Sequence, residues 1–295
     1  MAQASDVQAI QEQPHLIYLR QEELPYGQLN LVQLDSAFPR SVQTGILCDR
    51  MYYAAGNGIC LRYDLNSVEI PRIWVTLFGS DFKPRHQFKF DGVVSRARIS
   101  PDGKYAAFTV FITGHGYDDV NMSTATILLD TATGANLGNL EEFEVWKDGS
   151  LYQAPDFNFW GVTFARDSNR FYATLQQGNL VYLVQGDVAA RRLTVLREGV
   201  ECPSLSPDET RIAFKKRIAN RWQLTVLDLA TMQETPLAEK EGIDDQVEWL
   251  DDARILYQKA DYDPPKWVSL FVVPADGSGK PQIFIQNATS PAVVR

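Results

Sequence analysis

The chain has 295 residues, 45% of them hydrophobic and 22% charged, which is enough apolar material for one large domain or two small ones. Its net charge of -9, from 28 Lys and Arg against 37 Asp and Glu, excludes a nucleic-acid partner, because no large cationic face is available to neutralise phosphates. No apolar run approaches the roughly 18 residues that a membrane-spanning helix needs.

Residues 1–14, MAQASDVQAIQEQP, lack the apolar core of a signal peptide and read as a disordered polar lead-in. On this basis the protein either stays in the cytoplasm or has a targeting segment outside this chain. Short strands begin at His15. HLIYLRQ, GQLNLVQLD and RSVQTG, over 15–44, look like the second, third and fourth strands of a sheet that lacks its first. CDRMYYAAGNGICLRYD, from Cys48, is an apolar strand, a Gly-Asn-Gly turn and a second apolar strand. RARISPDGKYAAFTVF, from Arg96, repeats this layout with Asp102 in the turn. So do GVTFARDSNRFYATLQ with Asp167, CPSLSPDETRIAFKKR with Asp208 and DQVEWLDDARILYQKA with Asp251.

Two more strand-like runs follow each such pair, as in RWQLTVLDL and TPLAE. Alternation and β-branched residues favour strand over helix throughout. The unit is therefore four strands in about 42 residues, the period of a β-propeller blade. The Ser-Pro-Asp segments are hairpin turns: Pro presets φ, and Asp can accept a hydrogen bond from the backbone two residues on.

The tail, NATSPAVVR, looks like a lone first strand, with Pro291 matching Pro203. Joined to the N-terminal strands it completes a blade and removes an exposed sheet edge. The expected fold is all-β: a six-bladed propeller over 15–295, closed by the C-terminal strand. Its split blade is 15–44 plus 288–295, and the others fall near 45–92, 93–157, 158–198, 199–242 and 243–287. Between Asp102 and Asp167 lie about 22 residues beyond the period. TGHGYDDVNMS (113–123) and EEFEVWKDGSLYQAPDFN (141–158) are the places for them, the latter as an added hairpin on the third blade.

ISPDGKYAAF and LSPDETRIAF resemble the repeats of TolB-like six-bladed β-propellers, and the resemblance extends over about residues 15–295. It implies a stand-alone propeller, without the α/β domain that accompanies the propeller in TolB. It also implies a periplasmic or cell-surface location and a role as a protein-binding platform. Other relatives form the non-catalytic half of prolyl-oligopeptidase-type peptidases.

Residues for chemistry are few. His15, His86 and His115 are not at metal-ligand spacing, and no Gly-x-Ser-x-Gly elbow or phosphate-binding loop is present. No cofactor is implied. GHGYDD, with His115, Asp118 and Asp119, is the most enzyme-like stretch and otherwise reads as a polar loop. Lys215-Lys216-Arg217 ends a strand and reads as a solvated edge. Cys48 and Cys60 lie on neighbouring strands but several residues out of register, too far for a disulfide at about 3.3 Å per residue. Three free, mostly buried thiols are expected, which favours a reducing compartment over the location the resemblance implies.

Geometry supplies the candidate site. The loops leading into the innermost strands rim one mouth of the central channel. They bring Asp49, Arg50, Ser95, Arg96, Asp156, Asn158, Trp160, Glu201, Asp244, Asp245 and Gln246. A rim of mixed charge suits a protein or peptide partner, with Trp160 as an anchor. The competing reading is that these charges pair with one another and that Phe157, Phe159 and Trp160 pack between blades. The expected function is a non-enzymatic binding or scaffolding module at this mouth or on the elaborated third blade. The alternative is a metal-assisted hydrolase or lyase at the mouth.

Overall fold

The computed structural model describes residues 4–22, 24–34, 41–67, 70–114, 122–260 and 268–295. Six antiparallel blades surround a central channel. A helix α1 (Ala4–Gln11) precedes β1 (His15–Arg20), β2 (Gln28–Gln33) and β3 (Ser41–Leu47) of the first blade. The second blade is β4 (Arg50–Ala54), β5 (Asn57–Tyr63), β6 (Arg72–Gly79) and β7 (Pro84–Asp91). The third is β8 (Val93–Ile99), β9 (Tyr105–Thr113), β10 (Ser123–Asp130) and β11 (Asn136–Asn139). A 3-10 turn (Leu140–Glu142) and the hairpin β12 (Glu144–Lys147) and β13 (Ser150–Leu151) follow.

The fourth blade is β14 (Asn158–Phe164), β15 (Arg170–Gln177), β16 (Leu180–Asp187) and β17 (Arg192–Glu198). The fifth is β18 (Glu201–Leu205), β19 (Arg211–Ile218), β20 (Arg221–Asp228) and β21 (Glu234–Pro236). The sixth is β22 (Glu248–Trp249), β23 (Arg254–Ala260), β24 (Val268–Pro274) and β25 (Gln282–Ile285). Finally β26 (Ala288–Val294) pairs antiparallel with β1, Leu16 opposite Val293, and becomes the innermost strand of the first blade. The ring is thus closed by the two ends of the chain, as the split repeat predicts.

The core lies between the blades. Faces such as Ile59, Leu61 and Val75 of the second blade meet Phe108 and Val110 of the third, with Phe90 edge-on to Phe108 at 5.3 Å. The Ser-Pro-Asp turns take the geometry expected of them. Asp102 Oδ1 accepts from Ser100 Oγ at 2.7 Å and Lys104 N at 2.9 Å, and Gly103 sits at φ 76°. Asp208, Asp167 and Asp251 accept from the backbone of Thr210, Asn169 and Ala253 in the same way.

Three expectations are corrected. The lead-in is a helix: Val7 and Ile10, three apart on one face, pack beside Cys48 and Phe82, and Gln11 donates to Ser80 O at 2.9 Å. Two apolar residues are too short a stripe to stand out in the sequence, and so short a helix depends on packing. The added hairpin does not extend the third blade. β12 pairs parallel with β17, Val145 opposite Leu193, so it straps the third blade to the outer edge of the fourth and makes a six-stranded sheet.

Cys48 and Cys60 form a disulfide with Cα atoms 5.5 Å apart, leaving Cys202 as a buried free thiol. Cys48 is not bound by the strand register because the ladder stops short of it. β4 starts at Arg50, and Met51 pairs with Cys60. Asp49 N still donates to Leu61 O at 2.8 Å, but Cys48 N donates to Gly27 O of the first blade at 2.9 Å. The chain turns here and carries Cys48 over the face that Cys60 presents.

Candidate functional site

The two ends of the channel differ. At the mouth where the innermost strands begin, the predicted rim residues largely satisfy one another. Asp245, 2% exposed, lies 3.3 Å from Arg50 and 3.4 Å from Arg96. Arg96 also reaches Asp244 at 3.6 Å. Asp244 pairs with Lys215, whose ammonium lies 3.9 Å from Glu201 and 4.0 Å from the Trp222 ring centroid. Glu201 accepts from Trp222 Nε1 at 3.0 Å. Burial pushes the Glu201 carboxyl up, against the opposing pull of Lys215 and Trp222. Burial also works against ionised Asp244, but Lys215 and Arg96 outweigh it and hold that carboxyl low.

Gln246 donates to Val162 O at 2.9 Å and to Pro203 O at 2.7 Å, tying three blades together. About 10 Å³ of space remains beside Arg50, Arg96 and Gln246, so this mouth is closed. The remaining predicted residues serve locally. Asp49 caps Tyr63 N at 2.8 Å, Asp156 accepts from Gly178 N at 2.9 Å, and Asn158 accepts from Thr124 N at 2.8 Å. Ser95 is buried.

Trp160 is 1% exposed and is not a rim anchor. The neighbouring Gly161, at φ 68°, lies so near the next blade that a Cβ would stand 2.7 Å from Cys202 Cα. That close approach of the innermost strands seals Trp160 inside. Lys215 is equally misjudged as solvated edge, because it is 0% exposed. It sits opposite Glu201 in the β18–β19 ladder, so its side chain faces the closed mouth. His115, Asp118 and Asp119 lie outside the described residues.

A second layer lies deeper. Arg98 lies 3.3 Å from Glu248, donates to Val247 O at 2.7 Å and stacks on Tyr52 at 4.4 Å. Tyr52 Oη lies 3.2 Å from both Glu248 oxygens. Burial and the Glu248 charge push the Tyr52 phenol up. These residues escaped the sequence reading, although Arg96 and Arg98 stand two apart on one strand, the spacing that aims both into the channel.

Beyond this layer the channel opens. A cavity of about 370 Å³ takes lining residues from all six blades, among them Tyr52, Arg98, Thr163, Ser204, Glu248 and Val293. Its mouth is ringed by the Asp turns, which bond from blade to blade. Arg166 donates to Pro207 O at 2.6 Å, Asp208 N donates to Asp252 at 3.1 Å, and Arg211 donates to Asp252 O at 2.6 Å. The open end is thus concave and lined by apolar groups with a few polar ones among them, the properties of a binding pocket. The predicted rim residues lie at the opposite end of the channel from this cavity.

The sequence matches no protein-family model and no curated protein. Solved structures do match. TolB from Acinetobacter baumannii superposes with a TM-score of 0.64 over 96% of this chain and 67% of its own, at 14% identity. A putative TolB from Agrobacterium tumefaciens gives 0.56 over 92% of this chain and 89% of its own, also at 14% identity. The fold is a TolB-like six-bladed propeller. A chain in a nidogen/laminin complex gives 0.58 at 8% identity, over 95% of this chain and 98% of its own. At these identities the likeness of the TolB-like propeller to each is one of fold. Among the described residues no helix is long and apolar enough to cross a membrane.

Proposed function

We propose that this TolB-like propeller is a non-enzymatic binding module that takes a protein or peptide segment in the open mouth of its channel. The observation that carries the reading is the asymmetry of the channel: ion pairs fill one end, and the other holds a cavity of about 370 Å³ reached by every blade. The rim carries both charge signs, in Arg166, which donates to Pro207 O, and Glu209, which pairs with Arg170 at 3.0 Å, and Ser204 and Thr163 line the cavity within. Proteins in the TolB and nidogen/laminin structures share the fold, and the latter is a protein complex.

A metal-assisted hydrolase or lyase at the predicted mouth would need free carboxylates there. Glu201, Asp244 and Asp245 instead face Lys215, Arg96 and Arg50. The disulfide favours an extracytoplasmic location, since such bonds persist in oxidising compartments.

The test is selection from a displayed peptide library, with each clone re-assayed against Ala54→Trp, which fills the cavity, and Arg166→Glu, which inverts the rim charge. Clones that lose at least about tenfold in affinity with both variants support the reading. Selected clones that bind wild type and both variants alike would refute it.

A further inference from the structure

The hairpin that breaks the repeat builds a second concave site, away from the channel. A cavity of about 330 Å³ lies at its base, between Glu141–Val145 and Leu151–Phe157. Its floor is apolar and largely aromatic. Phe143 and Val145 are buried in the interblade core, and Tyr152 packs on Phe157 with ring centroids 5.2 Å apart. Leu151 stands 48% exposed at its edge.

One wall is acidic, formed by Glu141, Glu142 and Glu144. Glu142 is partnered by Arg191 at 3.0 Å, and among the described residues Glu144 accepts from a neutral donor, Trp146 Nε1, at 3.2 Å. Glu141 has no ion-pair partner among the described residues. Desolvation by the surrounding groups and the charge of Glu142 push its carboxyl up, so a cation placed there would relieve a local excess of negative charge.

The site also has a free backbone edge. β13 is the outermost strand of the six-stranded sheet. Tyr152 N is turned inward, donating to Val145 O at 2.7 Å. In an antiparallel ladder the residue before it then turns its backbone groups outward, so Leu151, the last residue of β13, presents its own to an incoming strand.

We infer that this groove binds an extended peptide segment carrying alternating basic and apolar side chains. A Lys or Arg lays its aliphatic stem across Tyr152 and Phe157 and places its charge against Glu141 and Glu144. An amphipathic basic side chain satisfies both halves of the site, the aromatic floor and the acidic wall, where a purely apolar or an acidic one satisfies at most one. The site shares no lining residue with the channel cavity, so its test stands apart from that of the channel reading.

The experiment uses the full chain and two fluorescein-labelled octapeptides, one alternating Arg with Leu and one alternating Glu with Leu, read by fluorescence anisotropy. The Arg peptide is expected to bind with an affinity that falls as salt rises, and the Glu peptide not to bind. The exposed double substitution Glu141→Lys with Glu144→Lys should weaken the Arg peptide at least about tenfold, while Arg166→Glu at the channel should not weaken it. Circular dichroism checks that both variants stay folded. Absence of binding to wild type would overturn the inference, as would equal binding to the Glu141/Glu144 variant.

Discussion

Arg98 and Glu248 stand 3.3 Å apart yet come from blades on opposite sides of the ring. Their pairing spans the channel and separates its closed end from its open cavity. Both are nearly fully buried at the floor of that cavity, and each holds the other's charge away from the protein interior.

Arg98→Met is therefore expected to lower stability by about 3–5 kcal/mol, read from urea unfolding, because it strands a buried carboxylate. Replacing both residues, as Arg98→Met with Glu248→Leu, should recover much of the loss. A double variant no more stable than the single one would show that the pair contributes more than mutual neutralisation.

Trp160→Ala is expected to cost about 3–5 kcal/mol, since it empties a fully buried site between blades. The same substitution at an exposed rim anchor would leave the melting temperature nearly unchanged. Thermal unfolding distinguishes the two.

The unreduced, denatured protein should take up one alkyl group, at Cys202, and the reduced protein three, as mass spectrometry will show. Cys60→Ser should lower stability by about 3 kcal/mol, the value for releasing a loop of this size. An unreduced protein that alkylates three times would place all three thiols in the free state.

The Asp208 carboxyl is opposed by burial, but hydrogen bonds from Ser206, Thr210 and Arg211 outweigh that and hold it well below the usual carboxylate range. Its folded pKa lies below its unfolded value, so it contributes stability above about pH 4 that is lost as pH falls through the folded pKa. Asp208→Asn should melt earlier than wild type at pH 7, and the gap should narrow as the pH is lowered below the usual Asp range. A gap of constant size would mean that the charge has no part in the turn.

Strand order and ring closure were legible in the chain. A four-strand period recurs, the turns carry Asp at a fixed place, and Ala288–Val294 supplies the strand that His15–Gln33 lacks. These are local signals, set by side-chain alternation and by the φ preferences of Pro and Gly. The sequence also brought Arg50, Arg96, Glu201, Asp244 and Asp245 to one mouth, because the start of each innermost strand must face it.

What these charges do once there is a tertiary matter. Whether a carboxylate meets an arginine or a ligand depends on distances between blades remote in sequence, such as Arg96 to Asp245. Lys215 and Trp160 are buried because of which strand packs over them, and Cys48 reaches Cys60 because the chain turns one residue before the ladder begins. The hairpin over 144–151 sits on the fourth blade for the same kind of reason: the outer edge of β17 offered unpaired backbone groups, and only the folded ring brings that edge within reach.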